Sequence, residues 1–366
     1  VCNGHFMESL HDFGGATNLF TSARIRQPFD FANRTGRIVF DVDAKTVPEE
    51  PTGDGYWVQL FISDQPIPAP YQLSNAGNLK TMPRRGVVVS FQESCGTVMK
   101  RGNVSDIYVI DNYTTRQRLR EDWDLNRGAC YTTKDNLRNH FEVRISQKHI
   151  EVWASDAGGS NFMRRAHVAN ANLPFTHGYV YLQHVQYATH SNSPDLPLDT
   201  TYHWDTVGFD GPVLAIPREY HVRDSLIPAT STGVNLGYAI RDGTMQTCCP
   251  FQPISPLAFS QPVELTGATA ALLTFNISFP YDTVLNYWFN GGTRRSCQYR
   301  ALGTDDVRVA AIEVPLADLR PGVNTIEFTA PRDGIFSNVG LLLEGTSTAT
   351  TTATPAPTET VIPECR

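Results

Sequence analysis

Apolar and polar side chains alternate one by one over many short stretches of this chain, and a period of two predicts β-strands. In YWVQLFIS (56–63), Tyr56, Val58, Leu60 and Ile62 fall on one face and Trp57, Gln59 and Phe61 on the other. HFEVRIS (140–146) sets Phe141, Val143 and Ile145 against His140, Glu142 and Arg144, as a half-buried antiparallel strand requires. It leads through Ser146, Gln147 and Lys148 into HIEVWAS (149–155), which predicts a tight hairpin. GVVVSFQE (86–93) and GYVYLQHVQYATH (178–190) have the same character. No clear amphipathic helix of about 12 residues or more is present. The nearest approach, TTRQRLREDWDL (114–125), reads as a decorated loop. Short strands spaced by 24 prolines and 27 glycines predict an all-β sandwich.

The first strand series ends at GFDGPVLAIPREY (208–220), where Gly211-Pro212 and Pro217 interrupt it. A new β pattern follows in ALLTFNISF (271–279), VLNYWFNGG (284–292), VRVAAIEVPLADL (307–319) and NTIEFTA (324–330). Ahead of the last of these, Pro321-Gly322 supplies a turn, after which Val323, Thr325 and Glu327 alternate with Asn324, Ile326 and Phe328. The organisation expected is a β-sandwich over 1–212, a second and smaller one over 213–345, and a Thr/Pro-rich tail over 346–366. The tail sequence TSTATTTATPAPTET cannot bury a core and reads as an extended spacer.

A length of 366 residues fits two ordinary cores, and 41% hydrophobic residues suffice to fill them. The net charge of −7, with acids and bases interspersed, leaves no basic run to follow a phosphate backbone, so nucleic acid is not an expected partner. No apolar stretch approaches the roughly 20 residues that span a bilayer. The opening VCNGHFMESL lacks the layout of a signal peptide, which is consistent with a leader already removed or with none. Seven cysteines without C-x-x-C spacing favour disulfides and an extracellular setting, secreted or surface-attached. The pairs expected are Cys95–Cys130, Cys297 with Cys249 or its neighbour Cys248, and Cys2–Cys365. Glycosylation sequons at Asn33, Asn103, Asn112 and Asn276 agree with that setting.

Candidate chemistry gathers near TYHWDTVGFDGP (201–212). Alternation puts His203, Asp205, Val207 and Phe209 on one face and Tyr202, Trp204, Thr206 and Gly208 on the other; in the preceding strand Leu182, His184, Gln186 and Ala188 share a face. If these two strands lie side by side, His184, Gln186, His203 and Asp205 converge, and a carboxylate can then fix the tautomer of a catalytic histidine. Hydrolysis needs a second acid, for which Glu93 is the candidate. Binding without catalysis would use Trp57, Trp204 or Tyr187 as stacking platforms, with Gln59, Gln186 and Asp205 bonding hydroxyls. Asp43 and Asp210 could share a structural Ca²⁺ if the first and last strands pair. No G-x-S-x-G nucleophile motif occurs.

GRIVFDVDA (36–44), HFEVRISQKHIEVWAS (140–155) and YHWDTVGFDGP (202–212) resemble, in their order, strands of concanavalin A-like lectin/glucanase domains. LRPGVNTIEF (319–328) is similar to a phrase of the accessory β-sandwiches that accompany extracellular carbohydrate-active enzymes. The resemblance implies a concanavalin A-like jelly-roll sandwich followed by an accessory sandwich, and a polysaccharide or glycoconjugate as partner. Glucanase catalysis is not implied, because SFQESC (90–95) carries Glu93 where that family has E-x-D-x-x-E. Nor is alginate-lyase catalysis, because YLQHVQY lacks the Q-x-H of that family. Three functions stand in order: a secreted glycan-binding protein; a glycoside hydrolase or polysaccharide lyase using His184, His203, Asp205 and Glu93; and a glycosylated, self-assembling surface or filament subunit.

Overall fold

The computed structural model describes residues 6–10, 18–32, 34–46, 56–68, 81–92, 104–122, 139–155, 162–187, 200–222, 237–247, 251–254, 256–301 and 307–345. Among them the secondary structure is β, apart from one 3-10 turn at Leu316–Asp318, and no helix is long and apolar enough to cross a membrane.

Two antiparallel sheets form the first sandwich. One has six strands in the order Phe6–Leu10, Thr200–Asp210, Gly36–Thr46, Asn139–Ile145, Ile150–Ala154 and Met163–Val168. The other runs Asn18–Arg24, His177–Tyr187, Tyr56–Ser63, Arg85–Gln92, Val104–Asp111 and Thr114–Asp122, with Phe29–Asp30 as its seventh strand, beside His177–Tyr187. Alternation sends Ile38, Phe40, Val42, Phe141, Val143 and Ile145 from the first sheet into a shared core. There Phe91, from the facing sheet, meets Phe141 at 4.5 Å and Phe40 at 5.8 Å between ring centroids. Each such buried side chain contributes roughly 1.5–3 kcal/mol by leaving water. The hairpin expected at residues 146–148 is present: Ile145 pairs with Ile150, and Ser146 N donates to His149 O at 2.9 Å.

The segment expected as a loop over 114–125 is instead the edge strand Thr114–Asp122, paired with Val104–Asp111 through the Asn112-Tyr113 turn. Its many charged residues suit an edge strand, where one margin faces water and charge discourages further pairing.

The second sandwich packs a sheet of Thr244–Thr247, Tyr238–Arg241, Gly334–Gly345, Ala268–Ser278 and Val307–Glu313 against one of Leu257–Ala258, Thr325–Thr329, Thr283–Phe289 and Arg295–Tyr299. Phe328 lies between Phe275 at 5.3 Å and Phe336 at 4.8 Å, so both sheets share one core. The alternation read for 323–328 holds, with Asn324, Ile326 and Phe328 buried.

The sandwiches touch through a third apolar cluster. Phe61, Val88, Tyr108, Tyr179 and Tyr181, outside the first core, pack with Val309 and Leu342 of the second sandwich. Thr81–Met82, from the first half of the chain, also pairs in parallel with Val307–Glu313. Arg24 and Glu219 form an ion pair between the two halves. This contact covers the middle of the seven-stranded sheet's outer face.

Candidate functional site

The convergence of His184 with His203 and Asp205 does not occur. His184 lies on His177–Tyr187 in the seven-stranded sheet, and His203 and Asp205 lie on Thr200–Asp210 in the six-stranded sheet. Packed sheets stand about 10 Å apart. The two strands belong to different sheets, which alternation within either strand cannot reveal. The side chains of Trp57, His184, Gln186, Tyr187, His203 and Asp43 lie outside the described residues, as do Glu93, Asn33, Asn103, Cys2, Cys95, Cys130, Cys249 and Cys365 entirely.

Five further expectations need correction. Trp204 is 0% exposed and packs 5.4 Å from Phe40, so no sugar reaches it. Gln59 is buried, accepting from Gln183 Nε2 at 3.0 Å and facing Ser90 Oγ at 3.4 Å, so its amide serves the sheet. Gly36–Thr46 and Thr200–Asp210 do pair, but Asp43 stands opposite His203 and Asp210 opposite Arg37. The two positions are therefore about 20 Å apart along the strands, which does not suit a shared cation. Among the described residues no three His, Cys, Asp or Glu side chains gather as a metal site. Asn276 is 1% exposed within a central strand, where no glycan fits, whereas Asn112 is exposed in its turn. Cys297 holds a free thiol whose pKa burial pushes up to about 11, so it stays protonated and packs as a small apolar group.

A β-bulge redirects the strand that carries Asp205. Thr206 adopts φ 53°, and the register with Gly36–Thr46 shifts between Asp205 and Gly208. The extra residue reverses the alternation, so Phe209 and Trp204, expected on opposite faces, both pack into the first core. The Thr206 hydroxyl donates to Asp41 Oδ2 at 2.8 Å, and His140 Nδ1 donates to Asp41 Oδ1 at 2.6 Å. His140 Nε2 is left 3.6 Å from Glu142 Oε1, which also accepts from Arg37 at 3.1 Å. This is an oriented imidazole on the outer face of the six-stranded sheet, with its tautomer fixed by a carboxylate.

A cleft of about 650 Å³ opens on the second sandwich, within the size range of ligand sites. Strand Thr283–Phe289 buries Leu285, Tyr287 and Phe289 in the core, which turns Val284, Asn286 and Trp288 outward. Trp288 lines the cleft beside Glu327 and Thr329 of the neighbouring strand, Arg294, and the Gly291-Gly292 turn. The indole Nε1 donates to Glu327 Oε1 at 2.8 Å, and the Arg294 guanidinium lies 5.7 Å from the ring centroid. The rim is held in place: Asn290, at φ 54°, donates to Asn324 Oδ1 at 2.9 Å and accepts from Thr325 N at 3.1 Å. Thr329 Oγ1 ties the cleft to the 241–247 hairpin by donating to Gly243 O at 2.6 Å.

The two other tryptophans with described side chains are taken. Trp204 is in the core, and Trp153 is covered by Arg144 at 4.1 Å and Phe162 at 5.8 Å. The sequence did carry a signal for Trp288, because it occupies a polar-face position between Tyr287 and Phe289. It carried one for Asp41 and His140 as well: both hold outward positions on strands whose pairing sets them opposite each other.

No protein-family model and no curated protein matches the sequence. Solved structures similar in shape include a legume lectin-like domain from Entamoeba histolytica (7% identity, 57% of this chain and 90% of that chain, TM-score 0.38). They also include the exoplasmic/lumenal domain of VIP36 in a Ca²⁺- and mannose-bound form (12%, 58% and 91%, TM-score 0.33) and lectin II from Ulex europaeus (11%, 56% and 92%, TM-score 0.31). These are legume lectin-like β-sandwiches, and at such TM-scores the ligand of this chain has to be argued from its own residues.

Proposed function

We propose that this is a secreted glycan-binding protein and that the Trp288 cleft holds the sugar. The observation that carries this reading is a tryptophan on the outward face of a strand, its N–H fixed by Glu327, lining an open cleft of mixed polar and apolar character. An indole face suits the C–H face of a pyranose, while Glu327, Arg294 and Thr329 offer acceptors and donors to its hydroxyls. The rim is anchored by backbone and side-chain hydrogen bonds before any ligand arrives, which lowers the ordering cost of binding. Screening the whole chain against immobilised oligosaccharides tests the proposal: selective binding supports it, and a blank array with folded protein refutes it.

A second reading, a polysaccharide-cleaving enzyme, is favoured by the Asp41–His140 pair alone. His140 Nε2 would act as the base, with Asp41 orienting the ring. New reducing or unsaturated ends released from polysaccharides by the native protein, and abolished in His140→Ala, would establish it.

A further inference from the structure

We infer that the sugar bound at Trp288 carries an anionic group, a carboxylate or a sulfate, and that Arg294 recognises it. The inference rests on the glycan-binding reading and goes beyond it by naming the ligand's charge. Two charged residues line the cleft, Glu327 and Arg294, and their positions differ in kind. One Glu327 oxygen is committed to the indole N–H, so this carboxylate works in part as a support for Trp288. Arg294 is exposed, lies over the Trp288 ring, and has no carboxylate partner among the described residues. Its neighbour Arg295 shows the contrast: that guanidinium is clamped on both oxygens of Asp318. A guanidinium at the cleft lining beside the indole keeps its planar fork of N–H donors within reach of a ligand that enters the cleft. Neutral hydroxyls would satisfy that fork one bond at a time. A carboxylate or sulfate satisfies it bidentately.

The test measures affinity by calorimetry for three matched oligosaccharides of one backbone: neutral, uronate-bearing and sulfated. The full chain is compared with Arg294→Ala, Arg294→Lys and Trp288→Ala. The acidic ligands should bind about tenfold or more tighter than the neutral one at low salt, a preference that shrinks as salt is raised. Arg294→Ala should erase the preference, lowering affinity for the acidic ligands far more than for the neutral one, and Arg294→Lys should keep part of it. Whichever acidic ligand binds tighter identifies the anionic group. Equal affinity for all three, unchanged in Arg294→Ala but lost in Trp288→Ala, overturns the inference and leaves the glycan reading standing. No binding of any of the three, or binding untouched by Trp288→Ala, overturns both.

Discussion

Trp288 and Glu327 stand directly opposite each other on adjacent antiparallel strands, and the indole N–H donates to the carboxylate at 2.8 Å. The strand register thus fixes the rotamer of a half-buried tryptophan at the edge of a cleft. Glu327→Ala should weaken sugar binding about tenfold by releasing the ring and removing an acceptor, at a stability cost of only about 1 kcal/mol. Glu327→Gln keeps a carbonyl acceptor and should retain most of the affinity. Calorimetric titration of both variants against the wild type checks the order.

Asp64 gives the fold a pH dependence. Burial raises its pKa from 3.8 to about 6, a shift that Arg85, Arg84 and His177 only partly offset, and its Oδ1 has no hydrogen-bond partner. The native state therefore holds a proton that the unfolded chain releases. The resulting stability is fully present below pH 3.8 and is lost as the pH rises through about 6. Asp64→Asn should stabilise the protein by roughly 1–3 kcal/mol above that range and by little near pH 4. Urea denaturation at pH 4 and pH 7.5 would show the difference in midpoint.

Asn112 and Asn276 make opposite predictions from the same sequon. Asn112 is exposed at a hairpin tip, and Asn276 is 1% exposed on a strand paired on both sides. In material made through a secretory pathway, Asn112 should carry an N-glycan and Asn276 none. Peptide mass spectrometry before and after enzymatic deglycosylation reads this directly.

The strands were legible because alternation is a local signal, and residues 140–155 and 323–328 obey it throughout. Three things were not legible, each because it depends on more than the period of two. The strands His177–Tyr187 and Thr200–Asp210 fall in different sheets, separating His184 from His203. The bulge at Thr206 reverses the faces after Asp205, bringing Phe209 into the core beside Trp204. Pairing without register suggested Asp43 beside Asp210, and the register sets them at opposite ends of the strand pair. Trp288 was within reach of the pattern itself, since a tryptophan on the polar face of a strand has to be explained by something outside the core.

The central claim is that Trp288 is the sugar platform, and the most direct measurement is the dissociation constant of the best array ligand for wild type and Trp288→Ala, with thermal stability compared alongside. A rise of about tenfold or more in the constant, with the folded state retained, is the expected result. Unchanged affinity in a folded Trp288→Ala protein would place the sugar elsewhere and contradict the account.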